Sequence, residues 1–150
     1  MQRIGEPWRP GRPYRDRPGA YAIILGGGVH GGAHAGRLLC VDQEGEIQLP
    51  GGGLDPGESP LAALHREVLE ETGWRIAPIR RVGAFQRYAW LPDYRYWARK
   101  TQVVYLARAT LRAGPPSEPG HTALWLTPRD ALATLSVEGD RHTLRRLLAR

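Results

Sequence analysis

The segment from Gly52 to Trp74 constrains the fold more than any other part of this 150-residue chain. A turn-rich loop leads directly into a short helix, and both ends of that helix can be read from the residues. Ser59 is a good N-cap, and Pro60 suits the first helical position, where its missing N–H costs nothing. Gly73 is a good residue for ending the helix in the left-handed conformation. The residues therefore predict a loop and a helix with defined ends.

Three glutamates of this helix, Glu67, Glu70 and Glu71, are spaced three and four residues from one another. These spacings make the side chains neighbours, and like charges there cost about 0.2–0.5 kcal/mol per pair. The opposite face should pack on the domain through Leu61, Leu64, His65, Val68 and Thr72. A solvated acidic surface tolerates so small a penalty, so the glutamates alone do not establish a site.

The loop before the helix favours a cation site over a plain acidic surface. Arg66 reaches Glu70 only in the less favourable orientation, and no Lys or Arg follows the glutamates within the helix. Glycines 51–53 permit close backbone approach, and the turn at 55–57 brings Glu58 beside the start of the helix. Carboxylate and carbonyl oxygens are hard ligands that suit Mg²⁺ or Mn²⁺. Zinc is disfavoured because the only cysteine is isolated and no pair of histidines accompanies the site.

The spacing of these residues resembles the Nudix box, the signature of the Nudix (MutT-like) hydrolases. Along the chain the matching positions are Gly52, five residues, Glu58, seven residues, Arg66-Glu67-Val68, one residue, Glu70-Glu71, one residue and Gly73-Trp74. Every fixed position matches, and Trp74 is a mild departure because aliphatic residues are commoner at the end. The pattern is highly specific, and the resemblance extends over roughly residues 19–149 as one domain.

The resemblance implies an α/β/α sandwich that hydrolyses a nucleoside diphosphate linked to another group. It implies that Glu67 and Glu71 bind a catalytic divalent cation, Mg²⁺ or Mn²⁺. Glu70 would bind a second cation or help to position water. Metal ions neutralise phosphate oxygens and lower the pKa of water, so such a site suits attack on a pyrophosphate.

Three other residues of the box receive supporting roles from the same resemblance. Glu58 would act in the outer shell of the metal. Arg66 would orient the glutamates, and Gly52 would offer its carbonyl oxygen to the metal. These roles complete the predicted metal site around the carboxylate helix.

The general base of this family often comes from a loop outside the box. Glu118 is the best-placed candidate, because it precedes a predicted strand after a flexible turn. Glu138 and Asp140 are the next candidates. For each of the three acids the alternative is a solvated loop residue or a helix cap.

Outside the box, the residues predict short strands joined mainly as hairpins. The predicted strands are residues 20–25, 37–42, 46–49, 74–86, 101–111 and 122–126. Two further helices should begin at Thr127-Pro128 and at Asp140, which would cap the last one. Few helices lie between the strands, so we expect an α/β (α+β) domain with a mixed or antiparallel sheet and flanking helices.

The chain divides into an arm and one domain. Residues 1–18 are rich in Pro and Arg and lack periodicity, which predicts a basic extended arm. Residues 19–150 form a single Nudix domain on this interpretation, since a chain of this length suits one hydrophobic core.

Positive charge and aromatic residues suggest where a substrate binds. The formal net charge is +6, and arginine supplies almost all of the positive charge. Arginine suits phosphate contacts, although codon bias in a GC-rich genome explains its abundance equally well. We predict Arg87, Trp90 and Arg99 as substrate contacts, because aromatic rings stack on bases and arginines hold phosphates. The alternatives are a hairpin end packed on the domain or a homodimer contact.

A glycine tract and the targeting signals are less informative. Residues 26–31 satisfy G-x-G-x-x-G, but no helix is predicted directly after them, so we reject a dinucleotide site. His30 and His34 lie in this tract, where a flexible connection is favoured over metal binding. No apolar run has the length of a membrane span, and residues 1–18 lack the apolar region of a secretory signal. With Cys40 as the only cysteine, these features indicate a reducing cytoplasm.

Three functions remain open from the sequence. The leading hypothesis is divalent-metal-dependent hydrolysis of a nucleotide-like small molecule such as a nucleoside triphosphate or a nucleotide sugar. A non-catalytic nucleotide-sensing module is the second, although such modules usually lose box residues and this chain retains them. An RNA 5′-end pyrophosphohydrolase is the third, suggested by basicity and exposed aromatic residues.

Overall fold

The computed structural model describes residues 1–27 and 32–150, which form seven strands and three helices. The strands are β1 (Tyr14–Leu25), β2 (Leu38–Gln43), β3 (Glu46–Gln48), β4 (Gly51–Gly53), β5 (Trp74–Leu91), β6 (Tyr96–Arg112) and β7 (His121–Leu126). The helices are α1 (Pro60–Thr72), α2 (Pro128–Thr134) and α3 (Glu138–Leu148). In this described part of the chain, no helix is long and apolar enough to cross a membrane.

The strands form one mixed sheet in the order β3-β2-β1-β6-β5. The short strand β4 pairs with β1, and β7 pairs with β2. β1 and β6 are parallel from Tyr14 opposite Trp97 to Leu25 opposite Arg108, whereas the other named pairs are antiparallel. The parallel pair therefore joins two antiparallel halves and lies at the centre of the sheet.

Helices cover both faces of the sheet. Successive side chains of a strand point to opposite sides, so alternate residues of β1 pack against different helices. On one face, alternate residues of β1 such as Ala22 pack with Leu64 and Val68 of α1. On the other face, Ile23 packs with Leu144 of α3 and with residues of α2. The result is a three-layer α/β/α sandwich with a mixed sheet, which confirms the expected fold class.

Strand pairing extends several elements beyond their predicted limits. β1 begins at Tyr14, so the predicted boundary between arm and domain at residue 18 falls inside a strand. Pairing with β6 supplies backbone hydrogen bonds that the Pro- and Arg-rich composition of this segment did not indicate. Residues 87–99, which none of the predicted strands includes, are also mostly strand, with a turn over residues 92–95 as the only irregular part of this described segment. β5 and β6 therefore form one long hairpin.

The buried face of α1 is rotated from the one predicted. Leu61 and His65 are exposed, while Ala63 and Glu71 are buried. α1 packs against β4 and β7 as well as against the central strands, and this side contact turns the Glu71 edge of the helix inward. The expectation that Glu71 lies on the solvent side of the helix was therefore wrong.

Asp140 does not cap α3, which begins at Glu138 after Val137. The Asp140 side chain is buried, and one of its oxygens has no hydrogen-bond partner among the residues that the structure describes. Burial raises the pKa of Asp140 to about 7, although Arg87 and the backbone N–H of Leu49 favour the charged form. Asp140 is thus a core carboxyl group rather than a loop acid.

The glycine tract is only partly described. The G-x-G-x-x-G motif of residues 26–31, including His30, falls largely outside the described residues. His34 is described, and its ring stacks on Trp125 at a centroid distance of 4.3 Å and lies 5.7 Å from that of Trp74. His34 therefore packs in an aromatic cluster.

We predict that Asp140→Asn changes how stability depends on pH. The folded protein holds a proton on Asp140 up to about pH 7, whereas the unfolded chain releases it near pH 4. Ionisation therefore penalises the folded state as pH rises through this window. Relative to the variant, the wild-type free energy of unfolding should fall by up to about 1.4 kcal/mol per pH unit, measured by urea unfolding. Asp93→Asn, at an exposed position, is the control, and parallel curves for Asp140→Asn and wild type would contradict the prediction.

Candidate active site

The ends of α1 are set by the capping residues that the sequence predicted. The N–H of Ala62 donates to the Ser59 side chain at 3.1 Å, and Pro60 occupies the first turn. Gly73 adopts a left-handed φ of 77°, and its N–H donates to the carbonyl of Leu69. This capping fixes the start and end of the helix that carries the acidic residues.

Arg66 lies at the centre of the acidic cluster. Its Nε and Nη2 atoms each donate to one oxygen of Glu58 at 2.8 Å. Nη1 donates to Glu67 at 2.8 Å and to Glu70 at 3.4 Å, while Nη2 also reaches the carbonyl of Gly53 at 3.1 Å. Hydrogen bonding to Arg66 lowers the pKa of Glu58 to about 2. One guanidinium therefore ties the loop to the helix and holds the Glu58 carboxylate in its charged form.

A tight turn places Glu58 within reach of this guanidinium. The N–H of Glu58 donates to the carbonyl of Asp55, and the N–H of Asp55 donates to the Glu58 carboxylate, both at 3.0 Å. Gly57 adopts a left-handed φ of 78° between them. The Asp-Pro-Gly sequence predicted this turn from its residue types.

Glu71 has a different environment from the other acidic residues of the helix. Its side chain is buried and accepts a hydrogen bond from the N–H of Gly51 at 2.8 Å. Burial raises the pKa of Glu71 to about 8, and the nearby charges of Glu67, Glu118 and Glu70 act in the same direction. Burial and neighbouring negative charge therefore both favour the protonated form of Glu71 in this structure.

His121 is a member of the cluster that the sequence analysis missed. Its Nε2 atom lies 3.3 Å from the second oxygen of Glu71, and its Nδ1 atom lies 3.0 Å from the carbonyl of Pro119. β7 carries His121 opposite Gln43, a pairing between residues distant in the chain. The sequence signal that could have indicated His121 is its position three residues after Glu118, the residue already considered as the general base.

The predicted role of the Gly52 carbonyl does not fit the strand register. Gly52 pairs directly with Ala20 in the antiparallel β1–β4 ladder. The flanking residues present their backbone to α1, because Gly51 donates to Glu71 and the carbonyl of Gly53 accepts from Arg66. Along such a strand the backbone N–H and C=O groups of successive residues point to alternate edges, so the Gly52 carbonyl points towards β1.

Gly52 is nevertheless required at its position by the close approach of Glu67. A Cβ atom on Gly52 would lie 2.5 Å from the carboxyl carbon of Glu67 and 2.7 Å from one of its oxygens. Contacts this short are excluded by van der Waals radii. The missing side chain therefore leaves room for the Glu67 carboxylate.

The three candidate bases lie in different places. The N–H groups of Ser117 and Glu118 both donate to the carbonyl of Glu70 at 2.9 Å, so this loop is attached to the end of α1. Glu118 lies close enough for its charge to raise the pKa of Glu71. Glu138 instead lines a groove beside β5, and the third candidate is buried in the core as described above. Only Glu118 of these acids belongs to the cluster.

The predicted substrate contacts are not all on one surface. Arg87 and Trp90 line the same groove, which has a volume of about 720 Å³. Arg87 also donates to the side chain of Gln102 at 2.7 Å. Arg99 forms an ion pair with Asp16. In the β5–β6 ladder Arg99 lies opposite Tyr88, whereas Arg87 lies opposite Lys100, so the side chains of Arg87 and Arg99 point to opposite faces of the sheet. Arg87 and Trp90 therefore line a common groove, Arg99 is paired with Asp16, and the role of all three as substrate contacts stays a prediction.

The acidic cluster fits a divalent cation by its chemistry. Glu67 and Glu71 offer hard oxygen ligands, and burial raises the pKa of both carboxyl groups. Within residues 1–27 and 32–150, no three acidic, His or Cys side chains already surround a common point, and Glu67 is held by Arg66. Oxygen ligands for a divalent cation are thus present, and among the described residues they have too little compensating positive charge.

Comparison with solved structures supports the same fold. The chain matches a NUDIX hydrolase from Nitrosomonas europaea with a TM-score of 0.67 and 19% identity, covering 90% of each chain. It matches a MutT protein from Methanosarcina mazei with a TM-score of 0.65 and 21% identity, covering 89% of this chain and 93% of the other. At these identities the likeness concerns the fold alone.

Sequence comparisons identify the family. An RNA pyrophosphohydrolase of Helicobacter pylori is 46% identical over 57 residues, which are 38% of this chain and 37% of the relative. The chain thus matches little more than a third of the length of that relative. An RNA pyrophosphohydrolase of Rhodopseudomonas palustris is 32% identical over 121 residues, 73% of this chain and 71% of the relative. The model of the NUDIX domain matches residues 15–147. The chain is therefore a member of the NUDIX family.

Proposed function

We propose that the protein hydrolyses a pyrophosphate bond in a nucleoside diphosphate linked to another group, with Mg²⁺ or Mn²⁺ as cofactor. The observation that carries the proposal is the buried Glu71 carboxyl group, which accepts the N–H of Gly51, lies on the same helix as Glu67 and is beside the Glu118 loop bonded to that helix. Such crowding of acidic groups is costly in a folded protein and is relieved by a divalent cation. Family membership and the names of the relatives point to the same chemistry.

Glu67 and Glu71 would hold the cation, and Glu70 would hold a second one or position water. The cation would supply neutralisation of the phosphate oxygens and activation of water. Arg66 would keep the carboxylates in place, because its donors already reach Glu67, Glu70 and the outer residue Glu58. With these roles assigned to the cation, the main role of the protein is to position the cation, the water and the substrate.

Glu118 would accept the proton from the attacking water. Its loop is bonded to Glu70 through the backbone, which supports a defined position near the cluster. His121 would orient Glu71, since its Nε2 atom is in contact with that carboxylate and its Nδ1 atom is bonded to the backbone of Pro119. In this proposal Glu118 acts as the base and His121 as a positioning residue for Glu71.

Arg87 and Trp90 would bind the part of the substrate that lies beyond the phosphates. They line one groove, where a planar base can stack and an anion can pair. The substrate is proposed as nucleotide-like, and the compartment as the cytoplasm, which suits the free and buried Cys40. A screen of nucleoside triphosphates, nucleotide sugars, dinucleoside polyphosphates and RNA 5′ ends would identify the leaving group.

We expect Glu71→Gln and Glu67→Gln to abolish turnover in this screen while preserving the fold. Each change removes a charged ligand, so activity should fall at least about 1,000-fold, and Mg²⁺ should no longer raise the melting temperature. The measurements are phosphate or nucleoside monophosphate release and thermal unfolding with and without Mg²⁺. Glu46→Gln, on β3, is the matched control and should behave as wild type. Full activity in both variants would rule out the proposed cation site.

Gly52→Ala should reduce activity strongly while it changes the stability of the fold only slightly. The new methyl group would push aside the Glu67 carboxylate, which is the flexible end of its side chain, so the cost in stability should be small. Displacement of a ligand by about 1 Å should reduce kcat by about 100-fold. Gly114→Ala is the control, because a Cβ atom there meets nothing within 4 Å. Equal kcat values for the two variants would show that Glu67 does not act from this position.

A further inference from the structure

Three positively charged side chains lie in one row across the sheet. Lys100 of β6 is directly opposite Arg17 of β1 in the parallel ladder, and it is directly opposite Arg87 of β5 in the antiparallel ladder. Residues that are opposite each other in neighbouring strands point to the same face of a sheet. We call these three residues the cationic row.

The cationic row opposes folding, because like charges directly opposite each other destabilise a sheet. The ion pairs between described residues join acids to Arg66, Arg99 and His121, and none of them includes a member of the row. Arg87 instead donates to the neutral side chain of Gln102 at 2.7 Å. The placement of three cations in register therefore needs an explanation other than stability.

Lys100 is the centre of the row and the only lysine of the chain. Burial lowers the pKa of Lys100 to about 8, and the charges of Arg87 and Arg17 act in the same direction. Asp140 opposes this effect, but it is one buried acid among three cations. An anion bound at the row would reduce the repulsion and favour the charged form of the lysine.

The cationic row is accessible from a groove of about 600 Å³, which Lys100 and Arg87 line as half-buried residues. Three carboxylates also line this groove, and all three are exposed: Glu44, Glu46 and Asp93. Charges interact more strongly where solvent is excluded, so the half-buried cations attract an anion more than the exposed acids repel it. Arg87 also lines the groove of Trp90, so a ligand held by the row can extend into that groove.

One end of the cationic row lies beside the acidic cluster of α1. A Cβ atom on Gly53 would lie 2.8 Å from the central carbon of the Arg17 guanidinium, so Arg17 packs directly on β4. The carbonyl of the same glycine accepts a hydrogen bond from Arg66, which also holds Glu67. One glycine is therefore in contact with the first residue of the row and with the arginine of the cluster.

A second connection between the row and the cluster runs through Tyr21 of β1. The ammonium of Lys100 lies over the ring of Tyr21 at 5.7 Å. A Cβ atom on Gly51 would lie 2.8 Å from the same ring, and the N–H of Gly51 donates to Glu71. One aromatic ring and one glycine thus separate the centre of the row from the buried carboxyl group of Glu71.

We propose that the cationic row is a binding subsite for a phosphoryl group, with Lys100 as its central residue. The two guanidinium groups suit the oxygens of a phosphate, and the ammonium between them supplies a point charge. In the hydrolysis proposed above, on which this role rests, the subsite holds a phosphoryl group of the substrate that the divalent cation does not bind. Free inorganic pyrophosphate offers the same chemistry and is the second source of such a group.

Binding at the row is tested without turnover by covalent labelling of the single lysine in EDTA. The aldehyde of pyridoxal 5′-phosphate condenses with an amine to an imine and releases water, while its phosphate group can bind the two arginines. Borohydride reduces the imine to a stable amine, and peptide mass spectrometry shows how much label is on Lys100. Pyridoxal, which lacks the phosphate, is the matched reagent and should label Lys100 at least about tenfold more slowly.

Protection from this labelling distinguishes the two sources of the phosphoryl group. Adenosine triphosphate and inorganic pyrophosphate are the two arms, and sodium chloride at the same ionic strength is the control for screening. Protection of Lys100 by the triphosphate alone would assign the subsite to a nucleotide substrate, and equal protection by pyrophosphate would assign it to phosphoryl groups of either source. Protection by neither compound, or equal protection by chloride, would overturn the proposal.

Lys100→Met then removes the central charge and keeps a long apolar side chain. For a substrate that the screen identifies, KM should rise at least about tenfold while kcat changes less than about threefold, because the subsite binds ground state and transition state alike. Lys100→Arg should restore most of the binding. Arg80→Met, at an exposed position of β5, is the matched control and should leave both constants within about twofold of wild type.

Thermal unfolding makes the outcome independent of hydrolysis. Pyrophosphate in EDTA should raise the melting temperature of the wild-type protein and not that of Lys100→Met, whose own melting temperature without the anion shows that it is folded. This shift in a protein that hydrolyses nothing would remove the proposed reaction and keep the subsite. Hydrolysis with the same KM in Lys100→Met and wild type would overturn the subsite and keep the reaction. Equal rises of KM in Lys100→Met and Arg80→Met would also overturn it, because they would indicate diffuse attraction to a basic protein.

Discussion

The contact between the Arg66 guanidinium and Glu58 is the interaction on which the candidate site depends. Its two hydrogen bonds of 2.8 Å join the loop after β4 to α1, and the remaining donors reach Glu67 and the carbonyl of Gly53. A planar guanidinium has enough donors in fixed directions to make all of these contacts, whereas an ammonium group does not. Arg66 makes no contact with the buried Glu71 among the described residues, and burial together with the charges of Glu67, Glu118 and Glu70 raises the pKa of that carboxyl group.

The pairing of β1 with β6 and with β4 holds the acidic cluster beside the centre of the sheet. Residues 19–21 of β1 pair with β4, which supplies the glycines that contact the carboxylates. The preceding residues 14–18 extend beyond β4 and carry Arg15 and Arg17.

Local chemistry explains which features could be predicted from the sequence. The ends of α1 follow from Ser59 and Gly73, since capping involves only neighbouring residues, and the spacing of the box indicated the family and its α/β/α fold. The burial of Glu71 and the contact with His121 could not be predicted, because they arise from pairing between distant segments. The glycine strand β4 is a further example, since its composition opposes strand formation and only pairing with β1 defines it. Its register also turns the Gly52 carbonyl away from the cluster.

The central claim is that the cluster held by Arg66 is a divalent cation site. The most direct measurement is an anomalous difference map from crystals of the wild-type protein soaked in MnCl₂, with data collected at the manganese absorption edge. We expect a peak coordinated by carboxylate oxygens of both Glu67 and Glu71, with Arg66 still bonded to Glu58. A map with no peak there, in which Glu67 remains on Arg66 and Glu71 remains on Gly51, would contradict it.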